Sequence, residues 1–265
     1  MPVSDSPLLI DVIDEVAWLT LNRPEAGNAI DLPMARALVE ASIRCQTDAS
    51  IRCVVLTGSG RLFCTGGDVG LFASAGDQVS ALLSELAGTL HMALARFARM
   101  AKPLLVLVNG PAAGAGLSLA ICGDVVLASR SAHFTAAYGT LGLTPDGGVS
   151  WVLPRLVGLR KAQEILLTNR RIKADEAEAI GLVTRLVDGG DLLEEGRATA
   201  EQLAGSAVAA VGAARALLQD SFSSGYETQL EREARAISAA GGGLECREGL
   251  AAFFDKRVPD FKGAR

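Results

Sequence analysis

Residues 103–120 read "PLLVLVNGPAAGAGLSLA", and no other stretch restricts the fold of this chain so tightly. The first part is an apolar run reaching Asn109, the pattern of a strand buried on both faces. The second part, Gly110 to Ala120, holds three glycines, four alanines and one polar side chain, Ser118. A buried strand therefore gives way at once to almost bare backbone, which allows another group to approach the main chain closely. Gly110 and Gly114 have the GxxxG spacing of membrane helices. The turn signal Asn109-Gly110-Pro111, however, divides the stretch into pieces of roughly 6 to 12 residues, too short to span a bilayer. What remains is a strand, a tight turn and the start of a short apolar helix.

Several phosphate and nucleophile motifs are excluded at this turn. A dinucleotide fingerprint begun at Gly114 needs glycine where Leu119 stands. A P-loop needs a lysine that is absent. A nucleophile elbow around Ser118 is closed by Ala120 instead of glycine. The first N–H groups of a helix lack internal partners and carry partial positive charge, so an oxygen can approach them where side chains are small. A second bare loop, "CTGGDVG" at 64–70, also follows a strand. Two such loops can each offer one N–H to the same carbonyl oxygen, as an oxyanion hole does. Small residues also permit close helix–strand packing, and neither loop alone separates the two readings.

The chain has 265 residues and a formal net charge of −5, enough for one large domain or a core with an appendage. No stripe of Lys and Arg marks a nucleic-acid surface. The first residues show no basic segment ahead of an apolar one, so no signal peptide is expected. Five cysteines without a CxxC pair are expected to be reduced, buried thiols of a cytoplasmic protein. Two histidines, His91 and His133, far apart in sequence, argue against a histidine-rich metal site, and no metal is expected.

Periodicity and breakers predict strands at 8–13 and 16–21, a helix over 33–45, a strand within "IRCVVLTGSG", a Gly-rich loop at 61–70 and a helix over 79–99. Strands at "PLLVLVN", "DVVLAS", "AHFTAA" and "LVTRLV" follow, with a short helix over "AAGAGLSLAIC" (112–122) and helices near 148–156, 160–168 and 174–180. From 191 to 265 strand-like runs vanish and Leu, Ala, Glu and Arg recur at helical spacing. Residues 1–190 thus read as a mixed α/β core and 191–265 as a helical region that docks on a neighbouring subunit.

Five segments, in order, carry a resemblance: "LNRPEAGNAI", "RLFCTGGDV", "KPLLVLVNGPAAGAGLSLAICGDVVLAS", "GLTPDGGVSWVLPRLVG" and "EAIGLVTRLV". The chain resembles the crotonase, or enoyl-CoA hydratase/isomerase, superfamily over nearly its whole length, including the ending "EGLAAFFDKRVPDFKG". The resemblance implies an α/β spiral of β-β-α repeats with a C-terminal helical trimerisation region, assembled as a homotrimer or a dimer of trimers. It implies an acyl-CoA thioester as substrate, with coenzyme A part of that substrate and no separate cofactor. The oxyanion amides are implied to be those of Gly67 and Ala115, flanked by Gly66 and Gly114; alanine at the second position is a departure from the usual glycine. Arg23, Ala26, Cys64, Asp68 and Val69 fall where the family binds the CoA portion. Asp68 also reads as a cap for the turn that follows. Phe254 and Lys256 are placed to close over the adenine of a neighbouring subunit.

The positions matching the two glutamates of the family's hydratases are Ser118 and Tyr138, and neither is an effective base at neutral pH. One acid remains in the matching region, Asp146 in "LTPDGGVSW", which without the resemblance reads as a turn aspartate. With it, Asp146 corresponds to the carboxylate that faces the acyl chain in the isomerase branch, where one group removes a proton and returns it elsewhere. Rival readings use the same site. The family's 4-chlorobenzoyl-CoA dehalogenases, which use a carboxylate nucleophile, have an aspartate at the place of Asp146 and a histidine at the place of His91. A hydratase lacking the usual glutamates, a thioesterase-like hydrolase and a non-catalytic acyl-CoA binder complete the alternatives.

Overall fold

The computed structural model describes residues 6–188 and 190–264. Two antiparallel strands open the chain, β1 (Leu8–Ile13) and β2 (Val16–Leu21), paired from Leu8 opposite Leu21 to Ile13 opposite Val16. Their connection is Asp14-Glu15, both at positive φ, the twist that suits a two-residue hairpin. Every later strand of this sheet runs parallel to its neighbour and so needs a crossover. Helix α1 (Leu32–Thr47) supplies the first, capped by Asp31, whose carboxylate accepts from Met34 N at 2.9 Å. It leads to β3 (Cys53–Gly58). Helices α2 (Val69–Ser74) and α3 (Val79–Arg99) return the chain to β4 (Leu104–Val108). Next come β5 (Ala112–Ala113), α4 (Ala115–Ala120), β6 (Val125–Ser129) and β7 (His133–Thr135). The core closes with α5 (Val149–Val157), α6 (Leu159–Thr168), β8 (Ile172–Lys173), α7 (Ala174–Ala179) and β9 (Arg185–Val187).

The main sheet has the order β1-β2-β3-β4-β6-β9, and β5, β7 and β8 form a small second sheet. Alternation along β3 and β4 separates two apolar layers. Val54, Leu56, Leu104, Val106 and Val108 face the larger core under α1, α3 and α4. Cys53, Val55, Leu105 and Leu107 face the opposite layer. That second face is covered by α8 (Leu192–Ala204), through Leu192, Ala200 and Ala204. A Cβ on Gly196 of α8 would stand 2.5 Å from the Leu107 side chain, which would have to shift, so glycine here suits the close approach of helix and sheet.

The change of composition at residue 191 therefore marks a helix that lies on the sheet. Helix α9 (Val208–Ser221) is tied down by Arg215, a buried guanidinium that pairs with Asp124 at 2.7 Å and donates to the carbonyls of Met100 and Phe97 at the end of α3. Helices α10 (Tyr226–Gly241) and α11 (Leu244–Asp255) contrast with it: α10 has no buried residue and α11 has one, Ala252. Ile237, Phe253, Phe254 and Val258 all stand three-quarters or more exposed. Among the described residues no helix is long and apolar enough to cross a membrane.

Candidate active site

Beyond β3 the chain threads between two neighbours. Ile30 N donates to Gly66 O at 2.7 Å and Asp68 N to Ile30 O at 3.1 Å, while Ala113 N donates to Cys64 O at 2.9 Å. The loop 64–68 is thus hydrogen-bonded along both edges. Within this frame the amides of Gly67 and Ala115 have no acceptor among the described residues. The loops touch because they lack side chains. Gly66 sits at φ +96°, and a Cβ there would meet Ala113 O at 2.8 Å and Ala115 N at 3.3 Å. A Cβ on Gly116 would run into the Cys64 carbonyl.

These two amides open on a cavity of ≈ 190 Å³, walled by Gly66, Gly67, Gly114 and Ala115 on one side. Phe72 of α2 and Leu83, Leu86 and Leu90 of α3 form an apolar wall, and Tyr138, Leu143 and Asp146 complete it. Asp146 supplies the one carboxylate in that lining among the described residues. Its side chain is half-buried, and the residue is held through both side chain and backbone. Tyr138 Oη donates to Asp146 Oδ1 at 2.9 Å. Ser118 Oγ donates to the Asp146 carbonyl at 3.0 Å and lies 3.2 Å from Tyr138 Oη. One residue on, Gly147 N donates to His91 Nε2 at 2.9 Å. Burial, and then the negative charge of Asp146, push the Tyr138 phenol well above its ordinary range. It keeps its proton and acts as a standing donor.

The sequence-predicted residues divide into three groups. Gly66, Gly67, Gly114, Ala115, Tyr138 and Asp146 line the cavity together, and Val69 joins them as a partly exposed residue. Ser118 and His91 stand outside the lining and meet it through the Asp146 loop. The remainder lie elsewhere. Cys64 is wholly buried and outside the cavity lining; its thiol donates to Asn28 O at 3.1 Å and burial pushes it up to about 12. Arg23, placed by the resemblance where the CoA portion binds, is turned inward. It donates to Ala29 O at 2.6 Å and pairs with both Asp31 and Asp68 at 3.1 Å, so two carboxylates already surround its one positive charge. Asp68 accepts from Leu71 N and caps α2, the structural role its sequence position allows. Ala26 lies exposed in the 3-10 turn Pro24–Ala26. Phe254 and Lys256 stand at the end of α11, outside the cavity.

One organising residue escaped the sequence reading. Asn28 is fully buried at φ +55°, and its amide donates to the carbonyls of Ser59, Leu62 and Phe63 at 2.9, 2.8 and 3.1 Å. It pins the start of the oxyanion loop to the end of β3. The one available signal was an Asn-Ala pair after Gly27 in a loop, which gives no hint of burial.

Comparison with known proteins agrees with this geometry. The profile of the enoyl-CoA hydratase/isomerase family matches residues 12–264. A probable enoyl-CoA hydratase of Rhodobacter capsulatus is 39% identical over 253 residues, 96% of either chain. The 1,2-epoxyphenylacetyl-CoA isomerase of Escherichia coli K12 is 35% identical over 264 residues, covering 97% of this chain and 98% of that one. The crystal structure of an enoyl-CoA hydratase from Polaromonas sp. JS666 superposes with a TM-score of 0.91 at 33% identity, over 95% of this chain and 98% of that one.

Proposed function

This chain belongs to the enoyl-CoA hydratase/isomerase family and folds as its α/β spiral, and from that premise we propose that it moves a double bond within an acyl-CoA thioester. The observation that carries the reading is the cavity lining: among the described residues it holds two amides without an acceptor, those of Gly67 and Ala115, and one carboxylate, Asp146. A thioester oxygen held by Gly67 N and Ala115 N gains negative charge as a neighbouring carbon loses its proton. Amides fixed in place stabilise that charge without reorganising, and one such donor is worth about 2.7–4 kcal/mol. Asp146 takes the proton from C2 of a 3-enoyl-CoA, the electrons spread through the dienolate, and the same carboxyl returns the proton at C4. No atom is gained or lost, and the carboxylate is regenerated. Adding water would need a second group, one to take a proton from the water and one to give a proton to C2 of the substrate. Ser118 and Tyr138, at the matching positions, are bound to Asp146.

In this reading coenzyme A enters as part of the substrate. The working form is a homotrimer or a dimer of trimers in the cytoplasm, which the bare apolar faces of α10 and α11 support. The test offers the protein a 3-enoyl-CoA, a 2-enoyl-CoA and an epoxyphenylacetyl-CoA, and repeats each with Asp146→Asn. Isomerisation should fall by about 10²–10⁴-fold in the variant, the range for loss of a positioned acid–base group. Hydration of the 2-enoyl-CoA that survives the substitution would overturn the assignment.

A further inference from the structure

Tyr138 occupies a place where the family's hydratases carry an acid, and its hydrogen bonds give it a different task. We infer that Tyr138 is the positioning residue of the site: its phenol captures Oδ1 of Asp146, fixes the carboxylate plane, and leaves Oδ2 as the oxygen that carries the proton. The inference rests on Asp146 being the proton carrier, as proposed above.

Proton bookkeeping supports it. Tyr138 has one O–H and Ser118 has one. The shorter contacts assign the Tyr138 proton to Asp146 Oδ1 at 2.9 Å and the Ser118 proton to the Asp146 carbonyl at 3.0 Å. Their mutual contact, at 3.2 Å, is then left without a proton of its own. Both hydroxyls therefore point at one residue, one to its backbone and one to its side chain. Tyr138 is 8% exposed and Ser118 1%, so water does not compete for these bonds. Buried beside a negative charge, the phenol does not give up its proton, which excludes it as the shuttling acid and suits it to hold Oδ1 permanently.

The charged and titratable surroundings are sparse. The loop after Asp146 meets His91 of α3 through Gly147 N, and no lysine or arginine lines the cavity among the described residues. Tyr138 is thus the side chain that donates to the Asp146 carboxylate. A free carboxylate would rotate and present either oxygen to either carbon. A captured one presents a single oxygen, which reaches both C2 and C4 only if the substrate lies along its path. Restricting one oxygen in this way favours return of the proton to the same face of the acyl chain.

The test separates the clamp from the reaction. Tyr138→Phe keeps the ring in its pocket and removes only the hydroxyl. On whichever acyl-CoA the wild type converts, kcat should drop roughly ten- to a hundredfold with KM little changed, the scale of a misplaced reacting group. Full kcat in a folded Tyr138→Phe protein would overturn the clamp. So would a loss that appears mainly as a raised KM, since that is the mark of a tyrosine that only shapes the pocket. Turnover that survives Asp146→Asn would instead overturn the isomerase reading on which the clamp rests.

Discussion

The two halves of the cavity are built by different means. The loops 64–67 and 112–116 are held by backbone hydrogen bonds and by the absence of side chains, with Gly66 and Gly116 pressed against carbonyl oxygens. The segment from Tyr138 to Gly147 is held by side chains: a phenol, a hydroxyl and an imidazole converge on two consecutive residues. In the first half, position and stability are the same thing, because parting the loops both misplaces the amides and breaks the frame. In the second, chemistry is carried by groups that can be exchanged without disturbing the fold. A backbone-built donor set therefore tolerates almost no added atom, whereas a side-chain-built carboxylate tolerates isosteric replacement and loses only its function.

Set against the Asp146→Asn loss given above, which should leave the thermal midpoint nearly unchanged, Gly116→Ala is the sharpest contrast. Its methyl group must displace the Cys64 carbonyl and hence the loop bearing Gly67. Overpacking of this kind costs about 1–3 kcal/mol. Losing alignment of one oxyanion donor costs about 10²–10³ in kcat. Activity and thermal midpoint should fall together. A Gly116→Ala protein with normal stability and reduced turnover would erase the distinction between the halves.

His91→Ala probes the most exposed of the three bonds on the other side. The imidazole is exposed on α3, and water can take over the Gly147 N–H once it is gone. A net loss of about 1 kcal/mol or less in stability is expected. The accompanying fall in kcat should be a few-fold, smaller than for Tyr138→Phe, because His91 touches the loop and never the carboxylate. Steady-state kinetics on the two variants side by side check the order; a larger loss at His91 would transfer the main positioning role to it.

What could be read in advance follows the same division. The hairpin at 8–21, the helix Val79–Arg99 and the strand Leu104–Val108 were legible because alternation or a 3.6-residue period ran for several residues between clear breakers. The oxyanion loops were legible as bare backbone, since glycine is itself the signal. Helix α2 was not: its six residues begin inside the Gly-rich loop, too short a run to show a period. Strand β8, two residues long, left no pattern either. Asn28 and the inward turn of Arg23 depend on partners 31 to 45 residues away, such as Ser59 and Asp68, which no local window contains. Asp146 was reached through the resemblance; locally its sequence says only turn.

The smallest expected effect concerns Cys64, which lies at the heart of the backbone-built half, its buried thiol donating to Asn28 O and accepting from Gly66 N. Burial pushes the Cys45 thiol up to about 11 and those of Cys53, Cys64 and Cys122 up to about 12. Alkylating reagents attack the thiolate. At pH 8 a thiol with a pKa of 11 or more is ionised to about one part in a thousand or less. Iodoacetamide on the native protein at pH 8 should therefore modify Cys246, on the surface helix α11, and leave the other four cysteines and the activity intact. On the alkaline side the same burial makes stability depend on pH. These thiols ionise near 9 when unfolded and near 11 to 12 when folded, so the unfolded chain holds fewer protons in that window and stability falls as pH rises through it. Mass spectrometry of the alkylated chain at pH 8, paired with thermal midpoints from pH 8 to 11, checks both directions. Fast labelling of Cys64 with loss of activity at pH 8 would mean that the loop opens far more readily than its hydrogen-bonded edges allow, and the backbone-built half would then be the mobile one.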